Sequence, residues 1–92
     1  MPKFKVHMQG KHLNWPKDWD VGREIKLLEC TLKRNSLDQS QNLSVEVEVD
    51  ASDENEAMEL GANTISKEFD LFALCAENPL YLDCDYVLVD RM

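Results

Sequence analysis

From Leu43 to Ala51 apolar and polar residues alternate without a break. Leu43, Val45, Val47, Val49 and Ala51 fall on one side; Ser44, Glu46, Glu48 and Asp50 fall on the other. A period of two with β-branched residues in the apolar register describes a strand with one buried face. The period then changes at once. Asp53 with Glu56 three residues on has the spacing of a helix capping box, and Asp53, Glu54 and Glu56 suit the positive end of a helix dipole. Met58, Ala62, Ile65, Phe69 and Phe72 follow at steps of four, three, four and three, which is the packing stripe of a helix. A half-buried strand delivered straight into an amphipathic helix calls for a sheet layer under a helix layer.

The flanking sequence supplies the remaining strands. Residues 3–9 alternate Phe4, Val6 and Met8 with Lys3, Lys5, His7 and Gln9, a second half-buried strand. Residues 23–34 fit two patterns. Val21, Ile25, Leu28 and Leu32 have helical spacing, with Glu29 and Lys33 as an i,i+4 pair. A strand with one bulge also fits, Ile25 and Leu27 passing the apolar face to Leu28, Cys30 and Leu32. The strand is preferred, because Gly22 weakens helix initiation and another strand follows after the polar loop 35–42. The helix is expected over about 53–76, unbroken or restarting at Asp70, and Asn78-Pro79 stops it. Gly61 beside the stripe costs helix stability and points to a close approach to the sheet. A last strand is expected over Leu80–Asp90, with Leu80, Leu82, Cys84, Tyr86 and Leu88 on one face and Tyr81, Asp83, Asp85, Val87 and Val89 on the other. The expected fold is α+β: a small two-layer domain with a three- or four-stranded, mainly antiparallel sheet and one principal helix packed on one face.

Ninety-two residues form a single domain, 1–92. Three cysteines, Cys30, Cys75 and Cys84, without a CxxC pair or a regular framework, read as reduced thiols packed in the core of a cytoplasmic protein. The N-terminus lacks the apolar run of a signal peptide, and no apolar stretch is long enough to span a bilayer, so no membrane is expected.

Charge is segregated along the chain. Residues 1–40 hold eight Lys/Arg and five Asp/Glu (+3), whereas residues 41–92 hold two and thirteen (−11), giving −8 in all. A field of that sign disfavours nucleic acid as a direct ligand and favours a basic protein partner. If the strands at 43–51 and 80–90 are neighbours, Glu46, Glu48, Asp50, Asp83 and Asp85 form one electronegative sheet face. If 43–51 pairs instead with 3–9, then Lys3, Lys5 and His7 neutralise that face, which becomes ordinary solvated surface. The carboxylates of Asp53, Glu54, Glu56, Glu59 and Glu68 keep the helix side negative in either arrangement.

Trp15 and Trp19, in Asn14-Trp-Pro-Lys-Asp-Trp-Asp20, are either partner anchors or a lid over the open end of the core, and in so small a domain the lid is favoured. His7 and His12 do not converge by spacing. Asp83-x-Asp85 and Glu46-x-Glu48 lack a Gly-rich calcium loop, and no catalytic motif, cofactor motif or family motif accompanies them. The expectation is a non-enzymatic binding module without a cofactor. It acts as an inhibitor that occupies a basic, nucleic-acid-binding groove on another protein. The alternatives are a homo-oligomerising structural module, built on Tyr81, Val87 and Val89 or on an unpaired edge, and a divalent-cation-binding domain.

Overall fold

The computed structural model describes residues 1–12, 19–35, 43–74 and 80–92, with the backbone alone for His12, Leu74, Leu80, Cys84 and Asp85. The elements run β1 (Lys3–His12), β2 (Glu24–Lys26), β3 (Thr31–Arg34), β4 (Leu43–Asp50), α1 (Glu54–Leu74) and β5 (Leu80–Arg91). Among the described residues five strands form one sheet in the order β2-β3-β4-β1-β5, and every neighbouring pair is antiparallel. The α+β layering and the one principal helix match the sequence reading. The strand count of three or four does not.

The extra strand comes from residues 23–34. Strand is correct there and helix is not, but the stretch is a hairpin rather than one bulged strand. Leu27 N–H donates to Cys30 C=O at 2.8 Å across the turn, placing Ile25 opposite Leu32 and Glu24 opposite Lys33. The adjacent apolar pair Leu27-Leu28, which suggested a slip of register, belongs to that turn, and Leu28 is 83% exposed.

β1 lies between β4 and β5, so those two strands run parallel to each other without touching. Joining them requires a crossover, which α1 provides while packing over β1, β4 and β5. The core between the layers holds Phe4, Val6, Met8, Leu32, Leu43, Val45 and Val47 from the sheet with Ala57, Ile65 and Phe69 from α1.

The buried face of α1 is Ala57, Gly61, Ile65, Glu68 and Phe69, and Met58 is mostly outside it at 41% exposure. The stripe is therefore rotated by about one residue from the face built on Met58 and Ala62. Gly61 causes the rotation, since only a residue without a side chain lets the helix rest directly on Val6.

The N-terminus of α1 is capped by Asp53, whose Oδ1 accepts from Glu56 N–H at 2.8 Å. Glu56 reaches back one residue further than a standard box, to Ser52 N–H (3.3 Å) and Ser52 Oγ (2.9 Å). The helix continues unbroken through Asp70 to Leu74; the Asn78-Pro79 stop lies outside the described residues.

β5 corrects a second expectation. Val87 and Val89 face the core with Leu82, although simple alternation separated them from it. The register against β1 shifts between Met8 and Gln9, from Val87 to Asp83. That shift leaves residues 84–86 as extra chain and reverses the facing of everything beyond.

Candidate functional site

One face of the sheet carries α1; the other, the open face, is covered by no described element. On the open face β1 contributes Lys3, Lys5, His7, Gln9 and Lys11, and β4 contributes Ser44, Glu46, Glu48 and Asp50. The register sets Lys3 against Asp50, Lys5 against Glu48 and His7 against Glu46. Lys5 Nζ is 3.9 Å from Glu46 Oε1, and His7 Nδ1 is 3.5 Å from Glu46 Oε2. On its other side His7 Nε2 lies 3.2 Å from Asp90 Oδ2, without a well-aligned hydrogen bond.

This arrangement overturns the electronegative strand platform. Glu46, Glu48 and Asp50 do share a face, but their neighbours are Lys3, Lys5 and His7. Asp83 pairs with Gln9 on the far side of β1 and does not adjoin them. The side chain of Asp85 lies outside the described residues. Among described strand residues on this face, Lys3, Lys5, Lys11, Lys26 and Lys33 stand against Glu24, Glu46, Glu48, Asp50, Asp83 and Asp90, a balance of −1, and exposed Glu29 of the β2–β3 turn, bordering the same surface, makes it −2. Two shallow polar hollows of about 350 and 310 Å³ sit on this surface; Lys5, Lys26 and Glu48 edge the first, His7, Lys33 and Ser44 the second, and Thr31 and Glu46 border both.

The negative charge is on the helix instead. Asp53, Glu54, Glu56, Glu59, Glu68 and Asp70 against Lys67 give α1 and its cap −5. Glu54, Glu59 and Asp70 are exposed, with no ion pair among the described residues.

Glu68 does not add to that surface, contrary to the sequence reading. It is buried, and its Oε1 accepts from Glu29 N–H (2.9 Å) and Cys30 N–H (3.1 Å), tying α1 to the β2–β3 turn. Its position had a signal in the spacing, because Gly61, Ile65, Glu68 and Phe72 also recur at four, three and four. The buried Cys30 thiol is pushed up from 9.0 to about 12, by burial first and then by the charge and hydrogen bond of Glu68. A thiol in that setting is a packing group, as expected for Cys30. Cys75 and the side chain of Cys84 lie outside the described residues.

Trp19 is buried at 5% exposure, which places it in the core and not on a contact surface. Its ring meets Phe72 edge-on at 6.3 Å and 90°, and its indole N–H donates to Arg23 C=O at 3.3 Å. Arg34 donates to Trp19 C=O at 2.6 Å, closing the β2–β3 hairpin over the core. The lid reading is the one that holds for Trp19; Trp15 lies outside the described residues.

Two apolar features stand out, of which sequence reasoning named only Tyr81, as an outer position of the last strand. Leu27, Leu28, Leu71 and Phe72 line a groove of about 440 Å³ between the β2–β3 turn and α1. Tyr81, Tyr86 and Leu88 of β5 are exposed at 56%, 44% and 47%. Among the described residues no group of three or more His, Cys, Asp or Glu is placed to hold a metal ion, and no helix is long and apolar enough to cross a membrane. Comparison of the chain with protein-family models, with curated proteins and with solved structures yields no match.

Proposed function

We propose that this chain is a small acidic, non-enzymatic module that binds a basic partner protein, with the solvent face of α1 as its electronegative surface. The supporting observation is the division of charge: with buried Glu68 left out, Asp53, Glu54, Glu56, Glu59 and Asp70 against Lys67 leave −4 on α1 and its cap, against −2 on the open sheet face. The exposed carboxylates of Glu54, Glu59 and Asp70, with no ion pair among the described residues, keep their field available to an approaching cation, whereas those of Glu48 and Asp50 on β4 already face Lys5 and Lys3. Inhibition of a protein that normally holds nucleic acid in a basic groove is the form of activity this charge favours. Complementary fields raise association rates roughly 10- to 1,000-fold and fade with salt.

A low-salt pull-down followed by a salt wash tests the reading. A basic protein should be captured, and replacing Glu54, Glu59 and Asp70 by their amides should release it at lower salt. The corresponding replacements of Glu46 and Glu48 should change little. Capture that is indifferent to salt, or lost only with the β4 replacements, would refute it.

A further inference from the structure

The two edges of the sheet differ in kind. β2 is three residues long and ends in Glu24 and Lys26, a short charged edge of the sort that discourages strand pairing. β5 is twelve residues long, and no described strand pairs with its outer side. Over Val87–Asp90 it is regular and holds neither Lys nor Pro, and it presents Leu88 to solvent beside exposed Tyr86. The backbone phase is fixed by Met92 N–H, which donates to Lys3 C=O at 2.9 Å. Alternation along an antiparallel ladder then turns the N–H and C=O groups of Leu88 and Asp90 toward β1. Those of Val87, Val89 and Arg91 turn outward.

We infer that β5 pairs antiparallel with β5 of a second copy of this chain, about a two-fold axis perpendicular to the sheet at Leu88. The inference is independent of the α1 reading. With Leu88 on the axis, Val87 faces Val89 of the other copy. Both have outward backbone groups, so the two symmetry-related pairs exchange four hydrogen bonds. Leu88 meets its own counterpart on the open face, while Tyr86 belongs to the extra chain of the register shift and stands outside the ladder. Over these three positions, Val87, Leu88 and Val89, no charges stand opposite one another, and apolar residues face one another on both sides of the sheet. Moving the axis to Val89 would set Leu88 against Asp90 and bury a carboxylate against an aliphatic group. The result is a continuous ten-stranded sheet with both helices on the same side.

Pairing over so short an edge lies at the small end of specific interfaces, so the dimer is concentration-dependent, with dissociation over roughly 10 µM to 1 mM. Each copy carries −8, so screening should tighten the dimer as salt is raised. That dependence is opposite to the one expected for the basic partner.

Sedimentation velocity on the full chain across that concentration range, at low and moderate salt, tests the inference. Dimerisation that strengthens with salt is expected. Leu88→Lys should weaken it about tenfold or more by placing like charges together, while circular dichroism and melting show the monomer still folded. In a second measurement, Leu88→Cys should form a covalent dimer under an added oxidant faster than either the parent chain or Tyr86→Cys. A chain that stays monomeric throughout overturns the inference. So does a dimer that Leu88→Lys leaves intact, or crosslinking at Leu88→Cys no faster than in the controls.

Discussion

Gly61 of α1 rests on the side chain of Val6 in β1, so close that a Cβ at Gly61 would come within 3.0 Å of all three branch carbons of Val6. Glycine in mid-helix costs about 1 kcal/mol relative to alanine, and here the contact between the layers offsets that cost. Gly61→Ala should therefore destabilise the fold by roughly 1–3 kcal/mol despite its better helix propensity. Urea denaturation in a double-mutant cycle with Val6→Ala provides the check. Trimming Val6 removes two of the three crowding carbons and keeps its Cβ, so the added methyl should cost clearly less in that background, and additive losses would disprove the contact as the cause.

The Cys30 thiol, raised from 9.0 to about 12, holds its proton more tightly in the folded protein than in the unfolded chain. Its contribution to stability is thus complete below pH 9 and drains away as the pH climbs from 9 toward 12. The loss is at most about 1.4 kcal/mol per pH unit. Urea midpoints above pH 9 should fall more steeply for the parent chain than for Cys30→Ala. Parallel slopes would mean that this thiol is not held protonated by its surroundings.

Trp19 joins the β2–β3 hairpin to α1 through its contact with Phe72 and its hydrogen bond to Arg23 C=O. Trp19→Ala should cost roughly 3–5 kcal/mol, the range for truncating a large buried aromatic. Trp19→Phe keeps much of the apolar contact and loses the hydrogen bond, so a loss near 1 kcal/mol is expected. Thermal melts of the two variants separate these terms, and equal losses would assign the whole effect to the hydrogen bond.

The sequence made the layers legible wherever the period was pure. β4 and the regular part of β1 follow their alternation, and Asp53 caps α1 as its spacing from Glu56 predicts. Reading failed where a tertiary contact set the answer. Gly61 turned the helix face by a residue; the register shift in β5 exchanged its faces; Leu27-Leu28 closed a turn instead of bulging a strand. The candidate site suffered most, because strand order is not a local property. Once β1 intervenes between β4 and β5, Asp83 is removed from Glu46, and Lys5 and His7 take its place. The two outcomes for that face could be stated from sequence, but choosing between them required the pairing.

Glu46 and Glu59 have the same side chain in opposite circumstances, and reversing their charges should separate a structural carboxylate from a free one. Glu46 lies between Lys5 at 3.9 Å and His7 at 3.5 Å, partly covered by its neighbours. Glu46→Lys would set a second cationic side chain beside Lys5, next to the His7 ring. A loss of about 0.5–1 kcal/mol is expected, because exposed pairs are individually weak and the reversed charge adds repulsion to the lost attraction. Glu59 is exposed on α1, where Asp53, Glu54 and Glu56 are the nearby charges, so Glu59→Lys should leave stability within about 0.5 kcal/mol or raise it slightly. Chemical denaturation at low and high salt measures both. The Glu46 penalty should shrink as salt screens the lysine, and a salt-independent penalty would place its origin in packing. If Glu59→Lys destabilised as much as Glu46→Lys, the α1 carboxylates would be part of the fold's own charge network, and the surface proposed for a basic partner would lose its basis.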